Sequence, residues 1–499
     1  MSRIALALLA VALAVAAVVG AFVLLTADRS TDVGPNVMVN PEGVVEANNT
    51  PTIVRNPRQP QNVVVAHRVD RPNFSANLQW STDGGATWQP TVLPLPPGKD
   101  RPFAPDAAFA PDGTLYVTYV HLEGEGNVPA NLWMATSSDS GRTLSAPVSI
   151  AGPLSFQARL AVEPSGAVHV TWLAAKEVAL YRLAGGPHPI VSSRSTDRGR
   201  TFSPPVQVSD PERQRVGAAS PVIDANGQLV VLYQDFRGDR RDFEYLQGPV
   251  WEEPFGLVLT RSTDGGKSFS RGVELESGVV PTKRFLVFLP DFPSLAADSG
   301  DGLYVSWADG RHGDEDVFVR RSEDGGRSWG GPVRVNDNPR GDGTAQYLPR
   351  LAVAPGGRVD VLFLDRRRDR ANVMTDATLA SSHDRGRSFS NARASSEAFS
   401  SRVGPSAAEE FGVDFGSRLG LTSSDGAALA AWTDSRLGSE DTGRQDIMAA
   451  AVNVPEPAGG LARGPVIAGL LVLSVLALTG SYVRGRSSQA SSVTVGPAA

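Results

Sequence analysis

One short pattern, S-x-D-x-G-x-[TS]-[WFL], occurs six times in this chain of 499 residues. The copies begin at Ser81, Ser137, Ser195, Ser262, Ser322 and Ser382 and read STDGGATW, SSDSGRTL, STDRGRTF, STDGGKSF, SEDGGRSW and SHDRGRSF. Their spacings are 56, 58, 67, 60 and 60 residues. A near-constant period means that one supersecondary unit is used repeatedly, which restricts the chain to a repeat architecture. Each copy has the chemistry of a tight turn between strands. The aspartate (Asp83, Asp139, Asp197, Asp264, Asp324, Asp384) can accept backbone N–H groups, and glycine supplies a positive φ. The closing Trp, Phe or Leu points back into an apolar layer.

The sequence around the boxes repeats as well. An apolar strand is followed by a Gly-bearing turn and a second strand rich in Val, Tyr and Trp, as in Arg159 to Ala174, Ser294 to Asp309 and Arg350 to Asp365. A third strand runs into the box and a fourth leaves it, which makes a four-stranded blade. Units start near Thr50, Phe103, Phe156, Gly217, Asp291, Tyr347 and Phe415. The fold expected is all-β, a β-propeller of seven four-stranded blades, with six blades as the alternative. The seventh unit has neither a box nor a fourth strand. The segment Asn36 to Asn40 (NVMVN) matches Val333 to Asn336 (VRVN), a fourth strand, and is expected to close the ring. Closure removes two open sheet edges.

The boxes are those of the Asp-box, or BNR, repeat, and from about Thr50 to Val454 the chain resembles the sialidase (neuraminidase) superfamily. The resemblance implies an extracellular exo-glycosidase that grips the carboxylate of a terminal acidic sugar with three arginines. Fold alone does not fix activity. When the inner strands are aligned, the residues just before their apolar cores are Thr52, Asp106, Arg159, Ser220, Ser294, Arg350 and Arg418. These sit at the mouth of the central channel. Arg159, Arg350 and Arg418 fall in units three, six and seven, a step of three blades and then one, which is also the step of the family's triad. Arginine suits bidentate recognition of a carboxylate. The resemblance also calls for a tyrosine nucleophile and an acid/base carboxylate. Tyr347 is the nearest tyrosine, and Asp106, Glu409, Glu410 and Asp414 are the candidate carboxylates. Around the first arginine the chain reads Gln157-Ala158-Arg159-Leu160 in place of the family's R-I-P. The alternative is therefore a non-catalytic propeller that binds glycans or protein partners at the cell surface, with blade-to-blade ion pairing as the bland reading of the arginines.

A D-x-R triplet follows the second strand four times: Asp235/Arg237, Asp309/Arg311, Asp365/Arg367 and Asp434/Arg436. Four equivalent copies point to loop bracing, with a substrate role or a structural Ca²⁺ as the alternatives. The six histidines show no paired metal spacing, and His169 and His383 read as structural. Trp80, Trp133, Trp172, Trp307 and Trp432 read as blade core. There is no cysteine, which excludes disulfides and thiolate metal sites. A net charge of −6 gives no sign of a nucleic-acid partner.

The ends differ from the middle. Residues 1–30 contain a 22-residue apolar run, Ile4 to Leu25, behind Arg3, and read as a signal-anchor or signal peptide. Residues 31–454 are the propeller and 455–465 a Pro/Gly/Ala linker. Residues 466–483 read as a transmembrane helix, with Arg484 and Arg486 opening a short cytoplasmic tail over 484–499. The expectation is a monomeric propeller held outside the cell membrane, with glycan partners, no nucleic acid and no cofactor.

Overall fold

In a computed structural model of the protein, seven antiparallel sheets follow one another along the chain; six are wound in sequence order and the last combines strands from both ends of residues 31–454. The residues described are 31–176, 188–237, 254–280, 291–405 and 415–455. Their regular structure is strand throughout, and no helix among them is long and apolar enough to cross a membrane. The anticipated segments 1–30 and 466–483, and the candidates Glu409, Glu410 and Asp414, lie outside the described residues.

The blades confirm the seven-unit reading over the six-blade alternative. Their innermost strands are β3 (Asn48–Arg55), β7 (Pro102–Phe109), β11 (Ser155–Val162), β15 (Val216–Ile223), β19 (Ser294–Ala297), β23 (Gln346–Val353) and β28 (Gly420–Ser423). Residues 31–454 form one compact unit. Apolar residues on both faces of the strands pack between adjacent blades. One cluster, for example, joins Leu348, Leu362 and Phe399 to Phe415, Leu419 and Trp432. Trp172, Trp307 and Trp432 are buried, and Trp80 and Trp133 pack half-buried against the core, so the tryptophans are blade core.

The ring closes as expected. β1 (Asp32–Val33) and β2 (Val37–Met38) both pair antiparallel with β30 (Asp446–Asn453), the third strand of the last blade. The match between Asn36–Asn40 and Val333–Asn336 extends to single atoms. Asn40 Oδ1 accepts Ile447 N at 2.7 Å and Asn336 Oδ1 accepts Val317 N at 2.9 Å. Asn40 Nδ2 donates to Asp446 Oδ1 at 3.0 Å and Asn336 Nδ2 to Asp316 Oδ1 at 2.7 Å. Because Asp32 partners Asn453, both ends of the propeller leave side by side, on the face that carries the Asp boxes.

Each box is a self-contained hydrogen-bond knot. In the first, Ser81 Oγ donates to Asp83 Oδ1 at 2.6 Å and accepts Gly85 N at 3.0 Å. Asp83 accepts Thr87 N at 2.9 Å and Thr87 Oγ1 at 2.6 Å. The same set recurs at Asp139, Asp197, Asp264, Asp324 and Asp384. Bonds from Ser81 and Thr87 hold the Asp83 carboxyl down at about 2, and those from Thr201 and Ser195 do the same for Asp197. A box also ties blades together: Asn62 Nδ2 donates to Ser81 O in its own blade and to Ser140 O in the next, at 3.0 Å each.

Candidate functional site

The innermost strands carry a device that the sequence does not display. Two residues before the mouth position, Thr50, Ala104, Gln157, Ala218 and Leu348 all have φ between 50° and 57°, and Gly416 has φ 87°. In the first five blades of that set the register of strands one and two shifts at this point. A left-handed non-glycine residue costs roughly 1–2 kcal/mol. Its repetition in blade after blade marks a built β-bulge, which re-aims the side chain that follows it. Blade five is the exception. Phe292 holds the equivalent place without a positive φ, and its N–H donates to Ser417 O of blade seven at 3.2 Å. Gly416 is required twice over: a Cβ there would lie 2.3 Å from Thr50 Oγ1 and 2.6 Å from Thr50 N.

Beyond the bulge, the mouth residues link blade to blade. Asp106 Oδ2 accepts Leu160 N at 3.0 Å, Ser220 Oγ accepts Leu295 N at 3.1 Å, and Ser294 Oγ accepts Leu351 N at 3.1 Å. In each case the acceptor is the mouth residue of one blade and the donor follows the mouth residue of the next. Arg159, Arg350 and Arg418 occupy the same position with side chains that can only donate. After Arg159 the next blade presents Pro221, which has no N–H to satisfy. None of the three can accept a linking N–H as the serines and Asp106 do; Arg418 links instead by donating, to Thr52 and Pro105.

The structure brings the three arginines together around Asp106. Arg418 Nε donates to Thr52 Oγ1 at 2.8 Å, one terminal nitrogen donates to Pro105 O at 2.7 Å, and that nitrogen lies 3.5 Å from Asp106 Oδ1. Thr52 Oγ1 donates to Asp106 Oδ1 at 2.8 Å. Arg159 stacks its guanidinium on the Phe292 ring at 4.4 Å and donates to Ala158 O at 3.0 Å. Arg350 makes no hydrogen bond or ion pair with its side chain among the described residues, and feels Asp106 only through space. Burial is the main cause that disfavours the charge on all three. It holds Arg159 down to about 10 against the pull of Asp106, with Arg350 and Arg68 adding repulsion. Arg418 is pushed well below its ordinary value by burial and then by Arg159. A guanidinium still keeps its proton, so the cluster is cationic and poorly neutralised.

A pocket opens beside this cluster. Its walls include Arg68, Arg159 and Arg418 together with Phe103, Phe156 and Phe292, and Arg350 is not among the lining residues. Arg68 and Phe292 were not singled out in the sequence. A signal existed for Arg68: Arg68-Val69-Asp70 reverses the D-x-R triplet after the second strand of blade one. Arg68 pairs with Asp70 at 2.9 Å and donates from Nε to Asn49 Oδ1 at 2.6 Å.

The other candidates stand apart. Tyr347 is 3% exposed, its ring lies in the apolar cluster between blades six and seven, and its hydroxyl accepts a bond from Arg366 at 3.0 Å. Asp106 is fully engaged by Thr52, Leu160 and Arg418. The D-x-R triplets brace their loops. Asp309 meets Arg311 at 2.5 Å, Asp365 meets Arg367 at 2.6 Å and Asp434 meets Arg436 at 2.6 Å. Asp235 is taken by Arg213 while Arg237 turns to Glu274. In all four the arginine N–H also bonds the aspartate, at 2.9–3.0 Å. These aspartates thus hold their own loops and do not neutralise the mouth arginines. No group of three or more His, Asp or Glu among the described residues is arranged to hold a metal ion. His169 is buried against Glu163 at 2.8 Å, which itself pairs with Arg194.

Residues 73–284 match the family model of the BNR repeat-like domain, a span that contains four of the six boxes. Among curated proteins none matches. Solved structures similar to it include a protein of unknown function from Dyadobacter fermentans, at 13% identity over 85% of this chain and 99% of that one, with a TM-score of 0.48. An ulvan lyase of a polysaccharide lyase family shows 13% identity over 83% and 95% of the two chains, with a TM-score of 0.48. A Hadza microbial sialidase shows 15% identity over 77% and 75%, with a TM-score of 0.44. Likeness at this level leaves chemistry to be argued from the site.

Proposed function

We propose that the protein is a carbohydrate-binding propeller that captures an acidic sugar at the channel mouth, with Arg159, Arg350 and Arg418 supplying the attraction. The observation that carries this reading is the guanidinium cluster, buried at Arg159 and Arg418 and half-buried at Arg350, set against the carboxylate of Asp106 among the described residues. Such a cluster is costly without an anion, and an arriving acidic group restores the balance. Phe103, Phe156 and Phe292 add apolar lining to the pocket, with the Phe292 ring carrying Arg159. The binding reading is favoured over hydrolysis because the nearest phenol, Tyr347, is committed to Arg366, and Asp106 is committed to the mouth itself. Exo-glycosidase action is the second reading, and the convergence of the three arginines keeps it. It would draw its carboxylate from Glu410 or a neighbour.

A glycan array probed with the full chain, alongside hydrolysis of a fluorogenic sialoside, tests the assignment. Retention of acidic glycans without turnover is expected. Turnover that disappears in Arg350→Ala would replace binding by hydrolysis. A cell-surface location, with the apolar runs at 4–25 and 466–483 as anchors, belongs to the same proposal.

A further inference from the structure

The charge count at the mouth specifies more than an acidic ligand. Among the described residues, Arg159, Arg350 and Arg418 contribute three positive charges and Asp106 one negative, which leaves a surplus of two. Arg68 is left out of the count because Asp70 balances it. Arg159 and Arg418 are buried and Arg350 is half-buried, so water screens the surplus only in part. The donors are present as well as the charge. A guanidinium has five N–H groups. Arg159 commits one of them to Ala158 O, and Arg418 commits two, to Thr52 and Pro105. Both line the pocket from different blades, with Arg68 on a third side.

We infer that the mouth selects a doubly charged oxyanion, of the sugar phosphate-monoester class, over a sugar bearing a single carboxylate. A monoanion leaves one buried positive charge without a counter-charge, whereas a dianion cancels the surplus. A phosphoryl group also offers three oxygens to guanidiniums that approach from several sides. This rests on the reading of the mouth as an acidic-sugar site and narrows it.

The test compares two hexoses that differ in the charged group. Glucose 6-phosphate and glucuronate are titrated calorimetrically into the full chain at pH 8. Glucose 6-phosphate is expected to bind at least about tenfold more tightly. At pH 5 the ester has fallen toward a single charge, since its second ionisation lies near 6, and the preference is expected to collapse while glucuronate is unchanged. Arg350→Gln isolates the electrostatics, because Arg350 is not on the pocket wall and its side chain bonds nothing among the described residues. Coulomb energy scales with ligand charge, so a loss of about threefold for glucuronate corresponds to about tenfold for glucose 6-phosphate. Equal affinity for the two sugars at pH 8, or a preference that persists at pH 5, overturns the inference. Should Arg350→Gln not fold, the pH comparison on the unaltered chain decides alone. Binding of glucuronate without preference refutes only the charge count. Binding of neither sugar refutes the acidic-sugar site too.

Discussion

At the residue scale, the same side chain has opposite roles at different depths of the blade. Arg311, Arg367 and Arg436 each sit on an aspartate two residues earlier and close a loop. Among the described residues, Arg159, Arg350 and Arg418 share the carboxylate of Asp106. The two sets should separate cleanly in mutants. Arg436→Ala leaves the buried Asp434 charge without its cation, so a loss of about 3 kcal/mol in stability is expected, with anion binding intact. Chemical denaturation read beside a binding titration checks both halves, and a parallel loss of binding would place Arg436 in the site. The box aspartates supply a pH dependence. Their folded-state values lie below the ordinary carboxylate value, at about 2 for Asp83, Asp197 and Asp384. The charged boxes therefore stabilise the fold in full above about pH 4, and this contribution is lost as pH falls toward 2. Acid titration of the melting temperature should show that decline, and Asp83→Asn should flatten it measurably. An unchanged acid profile in Asp83→Asn would count against the hydrogen-bond origin of the depressed value.

At the element scale, what was legible in the sequence and what was not divide along a physical line. Turn chemistry and strand alternation are local, so the six boxes, the seven blades and the ring-closing segment Asn36–Asn40 could all be read from residue order. The alignment of inner strands likewise found the mouth positions, because equal offsets in a repeat land at equal heights. The left-handed residues at Thr50, Ala104, Gln157, Ala218 and Leu348 have no compositional mark, since none of the five is a glycine. Arg68 reaches the pocket from a second strand, outside the offset being aligned. Tyr347, chosen for closeness in sequence to Arg350, faces the interblade core, because a strand sends neighbouring side chains in different directions. The bulge makes a sharp prediction. Gly416→Ala would drive a Cβ against Thr50 N, and the shift would be passed on to Ser417 and Arg418. Loss of anion binding beyond the loss of thermal stability is expected, and binding retained at wild-type strength would show that Arg418 does not depend on that approach. The closing strand makes another. Removal of Asn40 Oδ1 in Asn40→Ala leaves Ile447 N unpaired in a buried position, at a cost of about 1–3 kcal/mol, and the open edge of β30 invites self-association. Light scattering during thermal unfolding reads both effects.

At the scale of the whole molecule, a closed ring converts seven similar blades into one dissimilar centre. Each blade contributes one mouth residue, and those residues can differ because the apolar clusters that join the blades lie elsewhere on the strands. Serines and Asp106 accept the linking N–H groups, whereas the arginines can only donate and concentrate charge. Both propeller ends emerge on the box face, so a fusion at either end of residues 31–454 should leave affinity at the mouth unchanged. The central claim is that this mouth is an anion site built from blades three, six and seven. The most direct measurement is equilibrium titration of an acidic monosaccharide into the detergent-solubilised full chain and into Arg418→Gln, with melting temperatures recorded for both. Saturable binding by the unaltered chain, weakened by about tenfold or more in a variant that still folds, is the predicted result. Equal binding by the two proteins, or none by the unaltered chain, would contradict it.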